Sequence, residues 1–169
     1  MIVIHTALLC EAQSIIEKHK LKKINSNPII YKNDFLVVVI GGIGELNTKS
    51  SLEYLFENYT IEKAFNIGIA GCSNKEVAIG ELFCTNKILD NINFMELKTV
   101  SVPQVVCNTQ SLLYDMEGSF FLEVSQKYLK NEDIFVFKVV SDNLDDTILP
   151  KDKVKKLIQN SLKSWEKWI

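Results

Sequence analysis

The sequence predicts an α/β fold, a three-layer sandwich whose central sheet is mainly parallel or mixed. Three observations carry this. Apolar runs at residues 2–9, 35–40, 64–70 and 134–140 have the composition of strands covered on both faces. Stretches with apolar residues at three-and-four spacing stand between them, as amphipathic helices require. The two kinds alternate across all 169 residues without a repeat, linker or low-complexity tract, and a chain of this length with 47% hydrophobic residues forms one domain, 1–169.

In chain order, residues 2–9 are apolar apart from His5 and Thr6 and predict a buried first strand. A basic leader is missing there, so this start reads as a strand and not a signal segment. Glu11 opens a helix with Ala12, Ile15, Ile16 and His19 on one face. Residues 25–28 form a turn, and 29–31 with 35–40 read as a hairpin closed by Lys32, Asn33 and Asp34. Gly41, Gly42 and Gly44 follow, then a helix over 45–59 with Leu46, Leu52, Leu55, Phe56 and Tyr59 as its buried stripe. Residues 64–70 are the next strand. Residues 80–85 with Ile88 and Leu89 predict another, 90–96 a polar bend, and 99–114 one or two short strands. Glu117 begins a helix to about Lys130, buried through Phe120, Phe121, Val124 and Tyr128. The strand 134–140 leads into an acidic loop with Asp142, Asp145 and Asp146. Pro150 then precedes a last helix whose inner face is Val154, Leu157, Ile158, Leu162 and Trp165.

Composition excludes several classes. The formal charge of -2 comes from 21 acidic and 19 basic residues with no basic concentration except the C-terminal lysines, which read as a solvated helix face; nucleic acid is not an expected partner. No apolar run approaches the ~20 residues that span a bilayer. Cys10, Cys72, Cys84 and Cys107 are far apart and unpaired in pattern, and His5 and His19 are the only histidines, so neither a zinc site nor a disulfide frame is expected. Reduced thiols point to the cytoplasm. Every basic side chain is lysine, which removes the bidentate arginine clamp for phosphate.

Two carboxylates stand where strand-like runs end: Glu117 in LYDMEGSFF and Asp142 in VVSDN. Ligands of α/β proteins collect beyond the carboxyl ends of the parallel strands, which makes these the first candidates for a site. The strand, glycine turn and helix start at VIGGIGEL form a possible cradle for an anion or hydroxyl. It lacks the spacing of a dinucleotide or P-loop motif. A plain dinucleotide-binding domain would further need an acidic residue at the end of the next strand, where Gly71 and Cys72 stand.

These pieces occur in the order TALLCEA, VIGGIG, FNIGIAG, IGE, DMEG, SDN, and the chain thereby resembles the purine nucleoside phosphorylase and nucleosidase superfamily. It resembles in particular the branch that hydrolyses methylthioadenosine and S-adenosylhomocysteine. The resemblance covers most of the chain except roughly 92–111. It implies cleavage of an N-ribosidic bond through an oxocarbenium-like sugar, with no metal or organic cofactor. Asp142 matches the acid that protonates the leaving purine, and Glu11 the carboxylate that helps activate water. Glu117 matches the residue that binds the ribose hydroxyls, and Met116 the side chain packed on the sugar. Gly42, Gly68 and Gly71 match turns that let backbone approach the ligand, with Ser141 beside Asp142 as a further substrate-binding position. The family implies a homodimer or larger homo-oligomer. Between Asp90 and Glu117 the chain is shorter than the typical nucleosidase, in the part that grips the base. The expected function is therefore hydrolysis of a purine nucleoside. A phosphorylase and a nucleoside-binding protein without the chemistry are the alternatives. Lys138 is the candidate for phosphate if phosphorolysis holds, against a structural or edge role within its strand.

Overall fold

The computed structural model describes residues 1–101, 112–144 and 149–169. Its described strands are β1 (Ile2–Thr6), β2 (Lys22–Ser26), β3 (Ile29–Lys32), β4 (Leu36–Ile40), β5 (Lys63–Cys72), β6 (Leu82–Cys84), β7 (Asn93–Phe94), β8 (Leu97–Thr99), β9 (Leu113–Asp115) and β10 (Ile134–Asp142). The helices are α1 (Leu9–Lys18), α2 (Glu45–Asn58), α3 (Gly118–Ser125) and α4 (Lys151–Trp165). The strands join one mixed sheet in the order β2-β3-β4-β1-β5-β10-β6-β7, with β9 added to β5 and β8 to β9. Its centre, β4-β1-β5-β10, is parallel throughout.

Helices cover both faces, which gives the three layers. Ala12 and Ile15 of α1 and Ile158, Leu162 and Trp165 of α4 pack with Ile4, Val38, Phe65 and Phe137. On the opposite face Leu52 and Leu55 of α2 and Phe121 and Val124 of α3 pack with Val3, Val37, Ala64 and Val136. The period-two alternation of each central strand sends successive side chains to these two layers. Among the described residues no helix is long and apolar enough to cross a membrane.

Several elements differ from expectation. Residues 22–26 form an edge strand on the hairpin, polar and mostly exposed, so no apolar alternation marked it. Leu46 is 79% exposed; the buried face of α2 runs through Thr48, Ser51, Leu52 and Leu55, where small polar residues hold positions that an apolar stripe would fill. Helix α3 stops at Ser125, and Tyr128 is exposed beyond it, with its ring stacked 4.4 Å from that of Phe56. Ile88 is exposed and belongs to no strand; Asn93–Phe94 is a strand where a bend was expected. Of the expected strands in 99–114, β8 and β9 fall in the described residues. Cys107, Asp145 and Asp146 lie outside them.

Candidate functional site

Beyond the carboxyl ends of β4 and β1, beside the middle of β5 and β10, lies a cluster of buried charges. Glu11 reaches it from the first turn of α1. Its Oε2 accepts the N–H groups of Ala7 (3.0 Å) and Leu8 (2.9 Å), and its Oε1 accepts that of Ile69 on β5 (3.1 Å). The carboxylate thus ties the β1–α1 turn to β5. Burial pushes its pKa up, opposed in part by the Lys138 charge and by the backbone donors.

Glu117 comes from the turn between β9 and α3, where it is the N-cap residue. Its Oε1 accepts the N–H of Gly44 at 2.9 Å, so DMEG and GGIG meet although 73 positions separate the two residues. Burial raises the Glu117 pKa as well, with Lys138 and the Gly44 N–H pulling against it. Glu11 feels the Glu117 charge unfavourably, Glu117 feels that of Asp115, and both acids are drawn to the same cation.

That cation is Lys138. It lies on β10 between β5 and β6, an interior strand, which corrects the edge role. Its side chain is 2% exposed and its Nζ donates to Asp115 Oδ2 at 2.7 Å. Burial alone would pull the ammonium down, but Asp115, Glu117 and Glu11 together outweigh it and hold it above the ordinary lysine value. Gly68 is the floor between these groups. A Cβ added there would lie 2.9 Å from Glu11 Oε1 and 3.3 Å from Lys138 Nζ, so glycine is what lets the carboxylate and the ammonium both lie against β5.

Asp142 sits at the end of β10 next to Gly71 of β5. Its Oδ1 accepts the N–H of Leu144 (2.9 Å). The Ser141 hydroxyl lies 2.6 Å from its Oδ2 and 3.1 Å from the carbonyl of Ala70. Ser141 is buried and spends its single proton on these neighbours, so it orients the acid rather than facing outward. Gly71 has the same function as Gly68: a Cβ would meet Asp142 Oδ1 at 2.9 Å and Leu144 Cδ2 at 2.5 Å. Gly68 and Gly71 are three residues apart on one strand, roughly 10 Å. Glu11, Glu117, Gly68 and the loop bearing Gly42 are brought together. Asp142, Ser141 and Gly71 form a second group farther along β5. Met116 is half-buried in the turn before α3.

Sequence reasoning missed a polar layer beneath the site. On the face that packs against α2 and α3, Val3, Ala64 and Val136 give way one step later to His5, Asn66 and Lys138. The Asn66 amide donates to His5 Nδ1 at 3.0 Å, which places the ring proton on Nε2. Each of the three interrupts an apolar run, and that interruption is the signal they carry in the sequence. Burial first, and then the Lys138 charge, push the His5 pKa down to about 3, with Asp115 opposing. The unfolded chain therefore binds a proton at His5 near pH 6.5 and the folded chain does not until about pH 3. Stability due to this difference is complete above pH 6.5 and is lost as pH falls below it. From about pH 7.5 to about pH 4.5 the loss is expected to be roughly 2–3 kcal/mol in urea unfolding, and His5→Gln is expected to flatten that slope. An equal slope in the variant would assign the acid sensitivity elsewhere.

Among the described residues no cluster of His, Cys, Asp and Glu has the arrangement of a metal site, and Cys10, Cys72 and Cys84 are free thiols.

No family model and no curated protein matches the sequence. Solved structures do match the fold. The Helicobacter pylori 5'-methylthioadenosine/S-adenosylhomocysteine nucleosidase bound to butyl-thio-DADMe-Immucillin-A superposes with a TM-score of 0.81 at 15% identity, covering 99% of this chain and 96% of that one. Futalosine hydrolase of the same organism gives 0.81 at 15% identity with the same coverage. The Campylobacter jejuni 5'-methylthioadenosine/S-adenosylhomocysteine nucleosidase gives 0.79 at 17%, covering 99% and 97%. The mixed sheet between helical layers is thus the fold of the nucleosidases.

Proposed function

We propose that this chain hydrolyses the N-ribosidic bond of a purine nucleoside. The observation that carries the reading is a buried cluster in which Glu11 and Lys138 both lie against Gly68, and Glu117, bonded to Gly44, is close enough for its charge to act on both, in a fold shared with nucleosidases. Glu117 and Met116 hold the ribose. A water above Gly68 is bound between the Glu11 carboxylate and the Lys138 ammonium, and Glu11 takes its proton as it attacks the anomeric carbon. Asp142, about 10 Å along β5, protonates the departing base. A sugar with an attached flat heterocycle bridges that span. The carboxylates also stabilise the positive charge that develops on the sugar.

Charge favours water over phosphate as the nucleophile. Lys138 faces Asp115, Glu11 and Glu117 and is already bonded to Asp115, so it has little attraction left for an anion. The chain has no arginine to replace it. Because Glu11 must be ionised and burial raises its pKa, kcat should fall on the acid side at a pH above the ordinary glutamate range.

The test is chromatographic detection of free purine from adenosine, inosine, methylthioadenosine and S-adenosylhomocysteine, with and without phosphate. Phosphate-independent release is expected, and Asp142→Asn should lower it by about 10²–10⁴-fold with the fold intact. Phosphate-dependent release would support a phosphorylase. Binding without release would support a non-catalytic binder. Undiminished turnover in the variant would remove Asp142 from the acid role.

We also read the protein as cytoplasmic and as a homodimer or larger. Leu9, Ile43 and Leu46, on the segments that carry Glu11 and Gly44, expose apolar surface that a second copy would cover. Analytical ultracentrifugation that finds only monomer would reject the assembly.

A further inference from the structure

We propose that Asp115 is a positioning residue for this site: it holds the Lys138 ammonium against the start of α3 and thereby leaves Glu11 free to act as the base. The inference rests on the hydrolytic reading above.

Asp115 is buried and every contact of its carboxylate is directional. Oδ2 accepts from Lys138 Nζ (2.7 Å) and from the Gly118 N–H at the first turn of α3 (2.7 Å). Oδ1 accepts the Thr99 hydroxyl at 2.8 Å, and Thr99 Oγ1 in turn accepts the Ser119 N–H at 2.9 Å. Strand β8, the start of α3 and strand β10 are therefore locked to one carboxylate. Charge-assisted bonds of this kind are the strong ones.

The three carboxylates around Lys138 compete for one ammonium. Glu11 is occupied by three backbone N–H groups and Glu117 by the N–H of Gly44. Among the described residues Lys138 forms an ion pair within 4.0 Å with Asp115 alone. The ammonium and Glu11 Oε1 both lie against Gly68 without forming an ion pair of their own. His5 on β1 is the other titratable group that faces this lysine, and it stays neutral well below neutral pH. Without the Asp115 charge, the ammonium would turn to Glu11 or Glu117. A carboxylate in direct contact with it is a weaker base and holds its proton less readily.

Asp115→Asn is therefore expected to lower kcat by at least about tenfold with KM changed by no more than about twofold, and to move the acid limb of the kcat profile to lower pH by about one unit. Asp115→Glu, which restores the charge, should return the limb toward the parent position. The carboxyl ¹³C resonance that disappears in Glu11→Gln should titrate lower in Asp115→Asn by the same amount. That arm needs no turnover and decides the role of Asp115 even if the parent releases no base. Thr99→Val loosens the carboxylate without removing charge and should move the same resonance in the same direction by less; it replaces Asp115→Asn if that variant does not fold. A Glu11 resonance unmoved in the folded variant, or an acid limb unmoved while kcat falls, would overturn the proposal.

Discussion

A single methyl group added at Gly68 is expected to lower kcat at least about 10²-fold while the protein still folds. A displacement of the reacting groups by about 1 Å is enough for a loss of that size. In Gly68→Ala the new carbon would stand 2.9 Å from Glu11 Oε1 and 3.3 Å from Lys138 Nζ. Neither group can withdraw cheaply: Glu11 is held by three N–H donors and Lys138 by Asp115. The methyl also takes the volume assigned to the attacking water. Overpacking of this kind costs roughly 1–3 kcal/mol of stability, which a thermal melt will register without loss of the cooperative transition. Turnover within about threefold of the parent would show that nothing catalytic occupies that space.

Lys138→Met should cause the largest loss of stability. Methionine matches the length of the lysine stem but leaves Asp115, Glu11 and Glu117 buried with no cation, and breaking a buried pair from one side costs about 3–5 kcal/mol. The loss has a pH signature. Burial already raises the Glu11 and Glu117 pKa values, and the Lys138 attraction that opposes this is gone in the variant. A group whose folded pKa is raised favours the folded state fully below its unfolded pKa and loses that contribution as pH rises through the folded value. The deficit relative to the parent is therefore greatest at neutral pH and shrinks at mildly acidic pH, as these carboxyls take up protons. Urea unfolding under both conditions checks it. A deficit that grows on acidification would mean that the three acids do not depend on Lys138.

Much of the fold was legible in the sequence because the central strands are buried on both faces and read as continuous apolar runs, and the helices between them keep their spacing. Elements whose residues do not report burial were not legible. Residues 22–26 form a polar edge strand, and the inner face of α2 includes Thr48 and Ser51 while Leu46 points to solvent. Strand order is a tertiary property, so Lys138 could not be assigned to an interior strand from its neighbours in the chain. The site followed the same division. Glu11 lies against Gly68 and Glu117 bonds Gly44, all residues of motifs that stand out in the sequence, whereas Asp115, one residue before Met116 in the same motif, went unremarked. It lies two residues before the N-cap Glu117, outside the position where a capping side chain is looked for, although it does accept the Gly118 N–H. Its pairing with Lys138 joins residues 23 positions apart on different strands, and no local pattern encodes that.

The most direct measurement is a crystal structure of the chain soaked with adenine and a ribose analogue. The sugar hydroxyls should lie on Glu117, the anomeric position should face a water between Glu11 and Lys138 above Gly68, and the heterocycle should reach Asp142. Density for the base in a different place, such as the groove beside Tyr54 and Asn47, with the space above Gly68 closed by side chains, would contradict it.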